Sequence, residues 1–447
     1  MKTSRKFLCL TPLCALLAAG SVHATNGMLM EGYGPISTGM GGASQAIDHG
    51  NAAMAANPAT LGSMPDGTAR LDVAFGVLGP NVNSSVPGMN AKSGGTSYLM
   101  PAMGYTRRNG AYTYGIGLFA QGGMGTEYEA TSFMAAGSGA PVRSELGVGN
   151  VIFPVAYQLN PNLTVGATLK FMWSSLDLLM AASPTQLGQM VTGGSGALGG
   201  ALAGGALATA DWARINFSDN NDFTGAAKST GFGASLGAVY KVNKDVTVGG
   251  SYQLKSALKD MKTGSSAASM TANPGHAATA TFIDNGQITV IDFQMPSVFA
   301  IGTGWQANPS LLLAADLKYI GWSDAMKSFK MRYDSAGMGG SVSFALPQNW
   351  KNQTVLNLGM AWKANEQLTL RAGLNLADNP IPDAYVNPLF PATVKNHATL
   401  GLGYKMSEAG DFNASLAVTP STTVTSGSGV TISHKQTNLQ LMYSHRF

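Results

Sequence analysis

Cysteine is nearly absent from this chain. Its 447 residues hold two, Cys9 and Cys14, both within the first 24 positions. The rest of the sequence therefore has no disulfide framework, no thiol nucleophile and no cysteine metal site. Charge is scarce too, at 11% of residues. Without Lys2, Arg5 and Lys6 the 27 Lys+Arg fall to 24 against 23 Asp+Glu, a net +1. That balance gives no basic footprint for nucleic acid, so no nucleic-acid partner is expected. After Ala24 no apolar run reaches the roughly 20 residues a helix needs to cross a bilayer. The five histidines beyond that point, His49, His276, His397, His434 and His445, have no metal-ligand spacing. No Ser/His/Asp set is legible in the order of residues, although a triad is a spatial object. No catalytic residue, metal or other cofactor is expected. Gly194-Ser195-Gly196-Ala197-Leu198-Gly199 spells a dinucleotide fingerprint, but it follows no expected strand and opens no βαβ unit.

What is present begins with an export signal. Lys2, Arg5 and Lys6 form a basic start, Phe7 to Ala19 an apolar stretch too short to span, and Val22-His23-Ala24 a small-x-small cleavage site. Residues 1–24 read as a signal peptide, with the mature chain starting at Thr25. Cys9 and Cys14 each follow leucine, which argues against a lipoprotein site.

The end of the chain alternates. Leu439, Leu441, Tyr443 and Phe447 share one face, and Gln440, Met442, Ser444 and Arg446 the other, with His445 a poor fit on the apolar side. Period two is a strand with one greasy face. An aromatic, a short turn and a new alternating strand recur at Tyr105–Gly110, Tyr157–Asn162, Tyr240–Asp245, Trp305–Ser310, Trp362–Gln367 and Tyr404–Ala409. Asn, Pro, Asp and Gly suit tight turns, and aromatics at one depth on a lipid face make an interfacial girdle. Six periplasmic turns with both termini periplasmic predict an all-β fold: a 14-stranded antiparallel transmembrane β-barrel in the bacterial outer membrane. Long connections are expected near 79–95, 122–144, 179–225, 259–284, 324–351, 377–394 and 421–429. Arg70, Asp72, Lys170, Asp177, Asp316, Lys318 and Arg371 lie opposite the girdle and fit a polar lumen. No linker separates two soluble domains.

Residues 25–66 do not alternate. They are rich in Gly, Ala and Met, too long for a tail and too apolar for a disordered arm. They are expected inside the lumen as an N-terminal hatch, or plug, with 67–447 forming the barrel.

From Gly34 through Asn57-Pro58-Ala59, this segment resembles the N-terminal hatch of the FadL/TodX family of outer-membrane transporters. The run Leu374 to Tyr404, with Asp378-Asn379-Pro380-Ile381-Pro382 and then Asn396-His397, resembles the same family's late barrel. The resemblance covers essentially the whole mature chain. It implies passive uptake of hydrophobic molecules, long-chain fatty acids or hydrocarbons, with lateral exit through the wall. It also implies that the extreme N-terminus reaches a ligand pocket. Met28, Leu29 and Met30 would occupy that place, with Met28 standing where the family has an apolar residue after a glycine. Methionine suits variable greasy ligands, and plain hatch packing is the alternative. The family's inward kink in the third strand would fall within Ala111 to Gln121, at Gly115 and Gly117, ahead of Gly122-Gly123. Loop 179–225, with Leu187, Met190, Leu198, Leu202, Leu207 and Trp212, reads either as a greasy capture groove or as a flexible Gly/Ala-rich loop.

The expected partners are a hydrophobic small-molecule ligand, outer-membrane lipid and lipopolysaccharide, and the barrel assembly machinery during biogenesis; a monomer is expected. A general porin, an adhesin or an acyl hydrolase remains as the other class. A forty-residue apolar hatch argues against an open porin, and no nucleophile can be placed for a hydrolase.

Overall fold

The computed structural model describes residues 26–205, 207, 210–221, 223–273 and 282–447. The expected signal peptide, its cysteines, the cleavage site, Thr25 and His276 lie outside the described residues. Alternation along the chain becomes one antiparallel sheet closed on itself. From Ala69–Val86 the wall passes through Tyr98–Asn109, Tyr112–Tyr128, Val142–Gln158, Leu163–Ala182, Ala227–Lys241 and Val246–Gln253. It continues through Val298–Asn308, Leu311–Ile320, Gln353–Lys363, Leu368–Ala377, His397–Lys405, Gly410–Val418 and Thr431–Arg446. The last strand then pairs with the first, from Arg70↔Arg446 to Ser85↔Thr431, so neither terminal strand of the ring is left unpaired.

The expected count of fourteen strands is corrected: the strands that circle the ring belong to a sheet of twenty-four strand segments among the described residues. Crossing the membrane takes about 9–11 residues of tilted strand, yet Ala69–Val86 runs for 18 residues and Leu163–Ala182 for 20. The ladders continue into water, where no lipid imposes an apolar face, so the alternation that marks a membrane strand fades while the pairing persists. Several expected loops are therefore strand in part. Ser328–Ser335 and Ser341–Pro347 form a hairpin, and Val191–Ser195 adds to its second strand. Ala268–Asn273 pairs with Phe282–Ile291 and with Trp212–Phe217. The fingerprint-like run Gly194–Gly199 straddles the end of a strand, Val191–Ser195, and the start of a helix, Gly196–Ala203. The strand's partner is antiparallel, so no βαβ unit forms. No described helix is long and apolar enough to cross a membrane.

The girdle aromatics Tyr157, Tyr240, Trp305, Trp362 and Tyr404 are all exposed on the outer face beside the short turns. In the last strand Leu439 and Tyr443 face outward, while Gln440, Met442 and Ser444 are buried inside. Residues 26–64 lie within the ring, because their hydrogen-bond partners come from strands all around it. Asn51 N–H donates to Asp72 at 2.6 Å, and Asn57 Nδ2 to the Ala238 carbonyl at 3.2 Å. Ser44 N–H donates to Asp316 at 2.6 Å, and Gly41 N–H to Thr399 Oγ1 at 3.0 Å. Gln440 Nε2 donates to Thr38 Oγ1 at 3.1 Å.

Candidate functional site

The Asn57-Pro58-Ala59 element starts a 3-10 helix, Pro58–Ser63. Asn57 caps it, accepting the Ala59 N–H at 3.1 Å, and Pro58 occupies a first-turn position where a missing N–H costs nothing. The Asn57 amide also donates to the Gln45 carbonyl at 2.8 Å, so one fully buried side chain joins two parts of the plug to the wall. Backbone meets backbone here because the wall carries glycine. A Cβ on Gly249 would lie 1.9 Å from the Gln45 carbonyl oxygen, and one on Gly373 would lie 2.1 Å from Gly41 N. Several of the charges expected in a polar lumen hold the plug. Arg70 pairs with Asp48 at 3.1 Å, and Lys318 donates to the Gly42 carbonyl at 3.0 Å.

The Tyr112–Tyr128 strand breaks the regular wall. It pairs with Tyr98–Asn109 only from Met103↔Leu118 to Asn109↔Tyr112. Beyond that point Tyr98–Ala102 stay with Ala69–Val86, Phe119–Tyr128 stay with Val142–Gln158, and the two strands part. The ladder to Val142–Gln158 omits Gly115 and Ile116 and resumes at Gly117↔Ile152, and the register shifts between Ala120 and Gly122, leaving Gln121 as an extra residue. The gap closes again above, where Gly94 N–H donates to the Glu127 carbonyl at 2.8 Å. Inside the gap the N-terminal segment takes part of the freed edge: Gly123 N–H donates to the Met28 carbonyl at 3.2 Å, and Leu29 bridges Gly122.

A cavity of about 350 Å³ occupies this window. Its lining mixes inward residues (Gly27, Phe119, His434) with the outward, exposed Leu99 and Leu118, so it passes through the wall. A second, much smaller cavity, about 20 Å³, lies among the extracellular strands and loops and is lined by Met124, Met180, Phe293, Met326, Met331 and Phe390, among others. Among the described residues neither lining includes a lysine or an arginine. The two share Met124 and Leu146.

The structure spreads the three N-terminal candidates. Met28 is buried in the apolar cluster beneath the extracellular loops. Leu29 and Met30 line a more polar cavity with Glu31 and Lys318. Gly27, unmarked in the sequence, lines the window; its φ is +65°, and a Cβ there would fall 2.7 Å from the Trp322 ring. In loop 179–225, Leu187 and Leu198 are buried in the same apolar cluster. Residues 386–396 form no strand and fold into the barrel, with Val386, Leu389, Ala392, Thr393 and Val394 buried. Burial pulls the Lys395 ammonium below the usual lysine range, against the carboxylates of Asp383 and Asp378. Apolar residues among the four prolines 380, 382, 388 and 391 were the signal for this inward fold. Among the described residues no group of His, Cys, Asp or Glu could hold a metal ion.

Solved structures share this architecture. The toluene transporter TodX of Pseudomonas putida is 31% identical, with 93% of this chain and 99% of that one aligned at a TM-score of 0.83. The toluene transporter TbuX of Ralstonia pickettii is 29% identical, over 93% and 99%, at 0.77. A FadL homologue of Pseudomonas aeruginosa, 14% identical over 94% and 99% at 0.70, shares the fold. A curated relative, an uncharacterized protein in the phosphoenolpyruvate carboxykinase gene 5′ region of Chlorobium limicola, is 44% identical over 86 residues, 19% of this chain. The chain spans only 41% of that relative's length. The family model for outer membrane protein transport proteins (OMPP1/FadL/TodX) matches residues 16–445. A plugged, laterally breached barrel and a match over nearly its whole length place this chain in the OMPP1/FadL/TodX family of outer-membrane transport proteins.

Proposed function

We propose that this transporter carries small uncharged hydrocarbons, entering the extracellular cavity and leaving through the window into the outer leaflet. One observation carries the choice of substrate: among the described residues neither apolar cavity offers a lysine or arginine to a head group. A carboxylate placed there would lose its hydration with no partner in return, whereas a hydrocarbon loses nothing. Hydrocarbon burial yields roughly 0.8 kcal/mol per methylene in either medium, so transfer from cavity to membrane is nearly level and needs no energy source. The toluene-transporting neighbours at about the same size support the reading. In it, residues 25–66 are the plug, 67–447 the barrel and 1–24 the export signal. The molecule acts as a monomer, meets lipid and lipopolysaccharide on its exposed apolar band, and reaches the membrane through the barrel assembly machinery. Catalysis has no part in it. Met28, Leu29 and Met30 form the threshold at the window, with Gly115 and Gly117 permitting the strand to bend beside it and Asn57, Pro58 and Ala59 seating the plug.

The test is uptake of labelled toluene and of a labelled long-chain fatty acid by cells lacking other such transporters. Toluene should enter at least tenfold faster with the protein than without it, and the fatty acid should not. Deleting Gly27–Met30 should lower toluene uptake while the barrel stays heat-modifiable on a gel. Fatty-acid uptake equal to that of toluene would sink the hydrocarbon reading. Passage of small sugars with neither compound moving would replace it with a porin.

A further inference from the structure

The extracellular cavity and the window cavity touch, yet a strip of chain stands between them. Asn387, Leu389 and Phe390 line the first, and Pro391, Ala392 and Val394 line the second. On the opposite side both are bounded by Met124 and Leu146. A molecule moving from one to the other must pass between those two side chains and residues 389–391.

This strip is attached in an unusual way. It belongs to no ladder, and what ties its carbonyls to the wall is side chains, beside a few backbone bonds within the strip itself. Thr126 Oγ1 donates to the Pro388 and Leu389 carbonyls, each at 3.2 Å, and Tyr128 Oη to Pro388 at 3.1 Å. Ser144 Oγ donates to the Leu389 carbonyl. His434 Nδ1 donates to the Pro391 carbonyl at 2.8 Å, which fixes the tautomer and leaves Nε2 without a partner. Buried backbone polar groups must be paired. Here the pairing comes from hydroxyls and an imidazole that can let go without any wall strand losing a rung. Pro388 and Pro391 lack an N–H, so the strip has little of its own to lose when it shifts.

We propose that residues 387–392 are a gate between the two cavities, clasped shut by Thr126, Tyr128, Ser144 and His434, and that hydrocarbon passes only when the strip swings off Met124 and Leu146. The proposal rests on the hydrocarbon-transport reading. In it the clasp residues set how wide the passage opens, and hence how bulky a hydrocarbon is admitted, while the cavities on either side set its polarity.

The chain past Ala24 has no cysteine, so cross-linking is clean. The variant Thr126→Cys/Pro388→Cys, joined by a short bifunctional thiosulfonate, should lose at least 90% of toluene uptake and regain it with reductant. Cross-linked protein that carries toluene at the untreated rate overturns the gate. Should the double variant not fold, Thr126→Val/Ser144→Ala loosens the clasp instead. It should raise uptake of a bulky branched alkylbenzene relative to toluene at least threefold, and an unchanged ratio overturns the gate. Absence of toluene uptake by the unsubstituted protein overturns the transport reading itself, and the gate with it.

Discussion

Asn51 shows how much one plug residue holds. Its Nδ2 donates to the carbonyls of Gly104 at 2.6 Å and Arg70 at 3.0 Å, and its Oδ1 accepts from Thr106 at 2.5 Å and Arg70 Nε at 3.2 Å. Asn51→Ala leaves several buried groups without partners, each costing about 1–3 kcal/mol. The plug around residues 48–55 should then exchange its amide hydrogens faster, while the wall amides keep their protection. Gly249→Val attacks from the other side. Its side chain must enter space held by the Gln45 carbonyl, and the wall cannot give way. The variant should still form a heat-modifiable barrel, but cells should become more sensitive to a large polar antibiotic. Unchanged sensitivity would mean that the plug adjusts without opening a path. At this scale the sequence was readable where a residue type has one use: the girdle aromatics as lipid-facing anchors. Gly27 was not readable, because its importance comes from Trp322 and Trp350, rings 4.9 Å apart that lie some 300 residues along the chain.

Among the elements, the Tyr112–Tyr128 strand departs furthest from regularity. Its kink was expected at Gly115 and Gly117; the ladder to Val142–Gln158 omits Gly115 and Ile116 and resumes at Gly117. The parting of the strands begins at Leu118 and the extra residue is Gln121, neither of which a glycine count reveals. Removing Gln121 should restore a regular register across Ala120–Gly122, straighten the strand and narrow the window. Hydrocarbon uptake should fall at least tenfold with the barrel folded; unaltered uptake would place the exit elsewhere. Residues 386–396 were hidden for a related reason. Prolines mark them as loop, and only their company of Val386, Leu389 and Val394, all buried, shows that the loop turns inward.

For the whole molecule, the sequence reveals a barrel with something inside it, because the lipid and the girdle impose a period that the plug lacks. It obscures how far the wall rises above the membrane, since water on both faces erases that period. The plug and the wall also differ in kind. The wall is a closed ladder, whereas the plug is held by side chains from many strands. In denaturant the plug should therefore loosen first, read by protease cutting between residues 26 and 66 at concentrations where the barrel still runs as a folded species. Simultaneous loss of both would mean that the plug supports the wall.

The seam has a consequence for the order of assembly. Arg70 and Asp72, which grip the plug, lie on the first strand, and Gln440 and Asn438, which grip it too, lie on the last. A chain made from its N-terminus has the plug in hand long before the final strand exists. Were the seam to zip first, its sixteen residue pairs would shut the plug outside, leaving those side chains facing an empty bore. The segment must already be seated among the arriving strands when the last one docks. From then on it is a captive, retained by enclosure as much as by affinity, and the finished barrel carries in its lumen a record of the sequence in which it was built.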